Sequence, residues 1–422
     1  MIISVNSGDT LFSISRMYGI PISKIAADNG ILNDGLVVGQ SLIIDNPDDS
    51  IFTSNDTSAS IISEKYSITL RNLFRNNYFL KGRENIPKNS LVVLSYMNTP
   101  SISKITGGYA YDFISAERLS SAINYLTYIM PFTYGFTEKG ELISPDDGYI
   151  IERALISGTK PLLHLSTLTG EGYFDSNLPE RLFSSSDAVQ KLIEGIIDMV
   201  ESKGYEGVDT DFEYLPEGEK ENYADFLKKL SHSLHNKGKI LIVAVPPKAS
   251  DEQRSVLVNG IDYKAIGGIA DYILIMAYEY GYKFGPPLAI APVNQVRSVL
   301  DYATNKINSE KILLGIPNYG YDWTLPYVRG ESDAPSISTV EAIELAKRYG
   351  AEIQYDVASE APYFFYTDEA RSVHEVWFED ARSYRAKVSL IEEYGLAGGF
   401  IWDLMRDNPQ GFVTLNSLID IV

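Results

Sequence analysis

Apolar positions recur along this chain in two rhythms, and the change between them divides it near residue 97. From residue 2 to 45 an extended stretch (Ile2 to Val5) leads through the turn Ser7-Gly8-Asp9 into helical spacing at Leu11, Ile14, Ser15 and Tyr18. A second helix starts from Ser23, and a strand from Ser41 to Ile44 closes the unit. This is a βααβ order, with Thr10 and Ser23 placed to cap the two helices. Residues 51 to 94 repeat it: Ile51-Phe52, a helix through Ile61, Ile62 and Tyr66, then Ile68-Thr69-Leu70, and a strand from Ser90 to Leu94. Aligning Gly8-Asp9-Thr10 with Asn55-Asp56-Thr57 and, after one inserted residue in the second copy, Tyr18 with Tyr66 and Ile20 with Ile68 makes an internal repeat.

Beyond residue 97, apolar strands alternate with amphipathic helices. The predicted strands are Gly108 to Ala110, Tyr125 to Phe132, Lys160 to Leu165, Gly207 to Glu213, Ile240 to Val245, Tyr272 to Ala277, Lys311 to Ile316 and Gly398 to Trp402. Eight strands at this rhythm predict an α/β fold, a (β/α)8 TIM barrel with its chemistry at the strand C-terminal ends. The long interval 324–390 between the seventh and eighth strands carries a helix (Thr339 to Tyr349) and three strand-like pieces. It is predicted to be a small α+β insertion forming one wall of a cleft. The expected domains are therefore 1–46, 49–95 and 97–422.

A chain of 422 residues with 45% apolar content is long enough for a barrel plus smaller units. A formal charge of −20 excludes nucleic acid as a natural partner, because duplex binding depends on Lys and Arg displacing counterions. The 29 tyrosines supply flat faces bearing hydroxyls, a surface suited to sugar rings. With no cysteine, disulfides, thiolate metal sites and cysteine nucleophiles are excluded. The start lacks the basic, apolar and cleavage-site regions of a secretory signal, so that export route is not expected. No apolar run is long enough for a predicted membrane-spanning helix.

The fourth predicted strand carries the chemistry. Strand side chains alternate between faces, so Asp209, Asp211 and Glu213 share one face while Val208, Thr210 and Phe212 share the other. Three like charges in a column repel, and the tension is relieved if one holds a proton near neutrality or a cation sits among them. A calcium site would want more oxygen ligands at loop spacings. The ordinary pair of glycosidase carboxylates would need a partner across the scissile bond, yet both acids of one strand lie on the same side. The alternative is substrate assistance, in which the 2-acetamido oxygen of an N-acetylhexosamine attacks its own anomeric carbon. Glu213 would then be the acid, Asp211 would orient the acetamido group with Asp209 sharing a proton behind it, and Tyr278 would bond the acetamido oxygen. Trp402 would underlie the sugar. Asn318 near a strand end would bond sugar hydroxyls, and Tyr319, Tyr321 and Trp323 would line subsites or fill the wall. His164, ending the third strand, is a possible partner for the acids, although one barrel histidine is more often simply packed.

Two resemblances rest on these residues. Gly8-Asp9-Thr10-Leu11, Ile14, Tyr18-Gly19-Ile20, Asn29 and Val38-Gly39-Gln40-Ser41-Leu42 resemble the LysM module, which binds N-acetylglucosamine-containing glycans; the second copy is a divergent one. The resemblance makes Gly8, Asp9, Thr10, Leu11 and Asn29 the expected glycan-binding residues. Residues 97–422 resemble glycoside hydrolase family 18, whose D-x-x-D-x-D-x-E signature runs here as Glu206, Asp209, Asp211 and Glu213. Its Met-x-Tyr is Met276 and Tyr278, followed by Glu279 where chitinases often have Asp, which adds Glu279, with Tyr319, to the substrate-binding set. Two LysM modules before such a barrel look like the spore cortex-lytic N-acetylglucosaminidases of the SleL/YaaH type. That likeness implies a retaining, substrate-assisted glycosidase acting on peptidoglycan of spore cortex or its fragments during germination, with no cofactor or metal. It also implies synthesis in the mother-cell cytoplasm and deposition in the spore layers. A chitinase, or an inactive lectin-like binder of chitin or peptidoglycan, is the alternative.

Overall fold

The computed structural model describes residues 1–33, 35–96, 100 and 102–422. Eight parallel strands form its centre: Ser103–Tyr111, Tyr128–Phe132, Lys160–Ser166, Gly207–Asp211, Ile240–Val245, Tyr272–Ile275, Ile312–Pro317 and Gly398–Trp402. Each pairs with the next, and the eighth returns to the first with Gly398 opposite Ile105 and Ile401 opposite Gly108. The sheet is thereby a closed TIM-type barrel, and closure removes the strand edges that would otherwise invite pairing.

Helices cover the outside because their apolar residues fall on one stripe. In Ser186–Lys203, Val189, Leu192, Ile193, Ile196 and Val200 are buried; Ser185 caps its start and Gly204, at φ 73°, ends it. Helix Lys220–His235 buries Tyr223, Phe226, Leu227, Leu230 and Leu234. The fourth strand meets this layer through Phe212, whose ring stacks 5.2 Å from Tyr223 and 5.8 Å from Phe226.

The insertion is a five-stranded antiparallel sheet in the order Ser336–Ile337, Gly320–Leu325, Val373–Trp377, Ala361–Thr367, Gln354–Asp356, backed by helix Thr339–Tyr349. It starts at Gly320, only two residues after the seventh barrel strand, so Tyr321 and Trp323 belong to its sheet. Helix Ala381–Glu393, which begins inside the predicted interval, packs on the seventh and eighth barrel strands as well as on Ala361–Thr367 of the insertion.

Both N-terminal units have their own small cores. In the first, Ile2–Ser4 pairs with Ser41–Ile43, and Thr10 caps helix Leu11–Tyr18 in a reciprocal box with Ser13. The expected Ser23 cap is not used. Helix Ile22–Asn29 begins directly after Pro21, whose ring fixes φ at −58°, so Ser23 already lies inside the first turn. In the second unit Asp49–Phe52 pairs with Leu91–Ser95, and an additional ladder joins Thr57–Ser58 to Asn85–Ile86.

These units are docked on the barrel by buried polar bonds. The Gln410 side chain, 0% exposed, donates to Asn29 Oδ1 (2.9 Å) and the Ser41 carbonyl (2.8 Å). Its Oε1 accepts from the Ala381 N–H (2.9 Å) and the Ser41 hydroxyl (3.3 Å). Arg382 donates to the Gly39 carbonyl (3.1 Å) and the Ser4 hydroxyl (3.2 Å), while Val37 enters the core of the insertion. From the second unit, Arg75 donates to the carbonyls of Asn124 (2.6 Å) and Ile421 (3.3 Å), and the Tyr78 hydroxyl donates to Asp407. Ile43 and Tyr78 belong to the main core. Such groups, removed from water, are stable only while paired, so the contact fixes one orientation.

Candidate active site

Alternation along the fourth strand survives folding. Asp209 and Asp211 face the barrel interior, whereas Val208, Thr210 and Phe212 are buried against the outer helices. The strand ends at Asp211, earlier than expected. Glu213 stands in the following turn, where Tyr214 takes a left-handed φ of 54°, and the bend keeps Glu213 on the cleft side.

Asp209 is 0% exposed and is held by two neighbours brought in by register. Its Oδ2 accepts from the Tyr109 hydroxyl (2.7 Å) and lies 2.7 Å from His164 Nδ1, His164 being its partner on the third strand. An ionised Asp209 places the imidazole proton on Nδ1. The expected proton sharing between Asp209 and Asp211 is not seen as a hydrogen bond; an oxygen of each is buried without a partner among the described residues. Burial first, then the charges of Glu213 and Asp209, holds the Asp211 carboxyl well above the usual carboxylate range. Burial, reinforced by Glu279 and opposed by His164, also raises Glu213. Both shifts favour the protonated form.

Tyr278 follows the sixth strand and is buried, and Gly315 leaves it room: a β-carbon there would stand 2.6 Å from its ring. Glu279, the next residue, has φ 65°, a conformation that costs a non-glycine residue about 1 kcal/mol or more. Its Oε1 accepts hydrogen bonds from the hydroxyls of Tyr319 and, at 3.1 Å, Tyr321. Desolvation raises the Glu279 carboxyl and these hydroxyls pull it back down. The cleft thus holds a carboxylate from a second strand, which alternation within one strand could not reveal.

Asp211, Glu213, Tyr278, Glu279 and Trp402 line one cavity of about 440 Å³. Trp402 is set edge-on to Tyr109 (5.3 Å) and Phe132 (5.0 Å). Met276 of the Met-x-Tyr motif lines it too, together with Tyr111, Phe132 and Phe174, which were not anticipated; for Tyr111 and Phe132 the strand-end position was the available signal, whereas Phe174 comes from the loop after the third strand. Among the described residues no group of three His, Asp or Glu side chains is arranged to hold a metal ion.

Other expected contacts are committed elsewhere. Asn318 gives its amide to the carbonyls of Asp403 (2.8 Å) and Arg406 (3.1 Å), and its oxygen accepts from Asn408 (2.8 Å). Its polar atoms brace the loop after the eighth strand rather than reach sugar hydroxyls. Tyr319 acts on the cleft through Glu279, and Trp323 is a buried wall residue donating to the Gly285 carbonyl at 2.9 Å. In the first N-terminal unit, Leu11 is core and Asn29 is buried, bonded to Ile25, Ile43 and Gln410. Neither side chain is presented to a glycan. Gly8 and Thr10 are exposed and Asp9 partly so. In the second unit, Thr57–Ser58, which stand where Asp9–Thr10 do in the first because Ser58 caps helix Ala59–Tyr66, are already paired to Asn85–Ile86.

The sequence profile of the glycosyl hydrolases family 18 matches residues 168–407, and that of the LysM domain matches residues 3–45. The chain belongs to glycosyl hydrolase family 18. This family-18 glycosidase is 32% identical over 428 residues to the cortical fragment-lytic enzyme of Bacillus anthracis, covering 97% of this chain and 96% of that one. The crystal structure of the Bacillus megaterium spore cortex-lytic enzyme SleL superposes with a TM-score of 0.83 at 32% identity, over 100% of this chain and 98% of the other. A chitinase of Chromobacterium violaceum is similar over 75% of this chain and 98% of its own, with a TM-score of 0.70 and 26% identity. The fold of the family-18 chain is thus shared along its whole length with the cortex-lytic enzyme. No helix among the described residues is long and apolar enough to cross a membrane.

Proposed function

We propose that this glycosidase cleaves N-acetylglucosaminyl bonds in bacterial peptidoglycan, in spore cortex or fragments released from it during germination, by a retaining, substrate-assisted route. The observation that carries the reading is the convergence of Asp211, Glu213, Tyr278 and Trp402 on one cavity. The full-length likeness to a cortical fragment-lytic enzyme supports the polymer.

Protonated Glu213 gives its proton to the glycosidic oxygen while the acetamido oxygen attacks the anomeric carbon, closing an oxazolinium ring as the leaving bond breaks. The ionised form of Asp211 accepts from the acetamido N–H and balances the developing positive charge. Its proton in the free enzyme has a place to go in the unpartnered Oδ1 of Asp209. Tyr278 donates to the acetamido oxygen and keeps it under the anomeric carbon, over the face of Trp402. Glu213, now a carboxylate, takes a proton from water, which opens the ring from the opposite face and restores the original configuration. Asp209, clamped by Tyr109 and His164, holds the column in place.

The first LysM unit supplies glycan attachment through Gly8, Asp9 and Thr10, while the second, its matching backbone already paired, serves mainly as structure. Likeness to cortex-lytic enzymes supports deposition in the spore layers, after synthesis in the mother-cell cytoplasm. Mass spectrometry of products from purified cortex and from chitin tests the substrate. Reducing N-acetylglucosamine ends from cortex, in excess of any from chitin, are expected; digestion of chitin alone would make the protein a chitinase.

A further inference from the structure

A second cavity, of about 270 Å³, lies behind the catalytic turn, and its charged lining is Lys220, Lys248, Arg254, Lys264 and Lys306 against Glu217, Asp251 and Asp262. In a chain of net charge −20 a cavity with an excess of cations is unusual. Lys306 pairs with Asp251 Oδ2 at 2.7 Å, and the other oxygen of Asp251 accepts from the Tyr302 hydroxyl at 2.7 Å. Asp251 is therefore fully used. Arg254 bonds only the carbonyls of Asp251 (2.6 Å) and Gln253 (3.1 Å). Among the described residues, Lys220, Lys248 and Arg254 have no carboxylate at ion-pair distance. The ammonium groups of Lys248 and Lys306 stand 5.9 Å and 5.3 Å from the centroid of the same Tyr302 ring. Burial lowers the Lys248 pKa, and the neighbouring charges of Lys220 and Arg254 push it the same way against Asp251 and Asp262.

The cavity is tied to the active site by the chain itself. The turn that carries Glu213 into the cleft continues through Leu215 to Glu217, which lines the cationic cavity. Gly260 packs so tightly on this turn that a β-carbon there would lie 2.2 Å from the Leu215 carbonyl.

We propose that this cavity binds an acidic peptide bearing two or more carboxylates, the chemistry of the peptide stems on the glycan. The assignment rests on the peptidoglycan reading above. Among the described residues, the cleft has no Lys or Arg in its lining to receive a carboxylate, so the neutral sugar enters the cleft while the charged stem is taken by cations on the flank. Three free cations around a small cavity match a di- or tricarboxylate better than a single charge.

The test uses the full chain carrying Glu213→Gln, so that binding is read without hydrolysis, and titrates it calorimetrically with the tripeptide L-Ala-γ-D-Glu-diaminopimelate and separately with inorganic phosphate. The peptide should bind, more weakly as salt rises, and Lys220→Ala with Lys248→Ala should weaken it about tenfold without moving the melting temperature. No peptide binding, binding of phosphate alone, or an affinity unchanged by the double substitution would overturn the site. The double variant in the wild-type background should keep normal hydrolysis of short chitooligosaccharides. If peptide binds as expected while cortex is not cleaved by the wild type, the site stands and the peptidoglycan reading fails instead.

Discussion

Replacing Gln410 by Leu removes four hydrogen bonds, three from the barrel to the first LysM unit and one within the barrel domain, while nearly conserving volume. The partners are Asn29 Oδ1, the Ser41 carbonyl and hydroxyl, and the Ala381 N–H. Asn29 Oδ1 keeps its bond from the Ile43 N–H at 2.7 Å, so its loss is partial; Ala381, whose helix-start N–H has no turn before it, is left bare. Counting about 1 kcal/mol for each lost bond and allowing for Asn29 gives about 3 kcal/mol of destabilisation. Urea denaturation followed by tryptophan fluorescence reads the loss as a lower midpoint, and hydrogen exchange reads it as faster exchange across residues 1–46. Exchange in the eight barrel strands should change far less. An unchanged midpoint together with unchanged exchange would refute the claim that this contact locks the unit to the barrel.

Further outcomes follow from the same geometry. Glu213→Gln should lower turnover by about 10²–10⁴-fold with glycan binding intact, and Tyr278→Phe should lower it by roughly 10–100-fold; near-normal rates in either would remove that residue from the chemistry. Glu213 must be protonated to act as the acid, and Glu279 helps keep it so; Glu279→Gln should therefore move the alkaline limb of the pH–rate profile to lower pH, and a limb that stays put or moves up contradicts the coupling. Because the raised pKa of Asp211 makes its ionisation a growing liability to the folded state as pH rises above the ordinary carboxylate range, Asp211→Asn should gain stability over wild type in thermal melts, by more at higher pH, while losing activity; a gain that shrinks as pH rises would contradict the sign. Removing residues 1–96 strips the partners from Asn124, Ile421 and Gln410, so the isolated barrel should melt lower and aggregate; a soluble barrel with full activity on short fragments would show the docking to be dispensable.

The acid column was legible in the sequence because a period of two needs no knowledge of neighbouring strands. Its support was not: Tyr109 and His164 reach Asp209 from other strands, and only register, set by barrel closure, says which residues stand side by side. Glu279 came from a motif, but its charge beside Glu213 and its two tyrosine bonds depend on the sixth strand meeting the insertion. Asn318 shows the converse error. A strand-end position says that a side chain is near the cleft, not that its amide is free, and here neighbouring carbonyls had taken it. The Asn29 side chain is likewise taken, by Ile25 and Ile43 within its own unit and by Gln410, 381 residues away.

The central claim is that the substrate supplies its own nucleophile beneath Glu213, and a series of aryl chitobiosides in which the N-acetyl group is progressively fluorinated tests it most directly. Fluorine withdraws electrons from the attacking carbonyl oxygen without altering the acid or the floor of the site. The account predicts that kcat/KM falls steeply from N-acetyl to N-trifluoroacetyl. A flat series would contradict it and would transfer the nucleophile to an enzyme carboxylate, with Glu279 the first to examine.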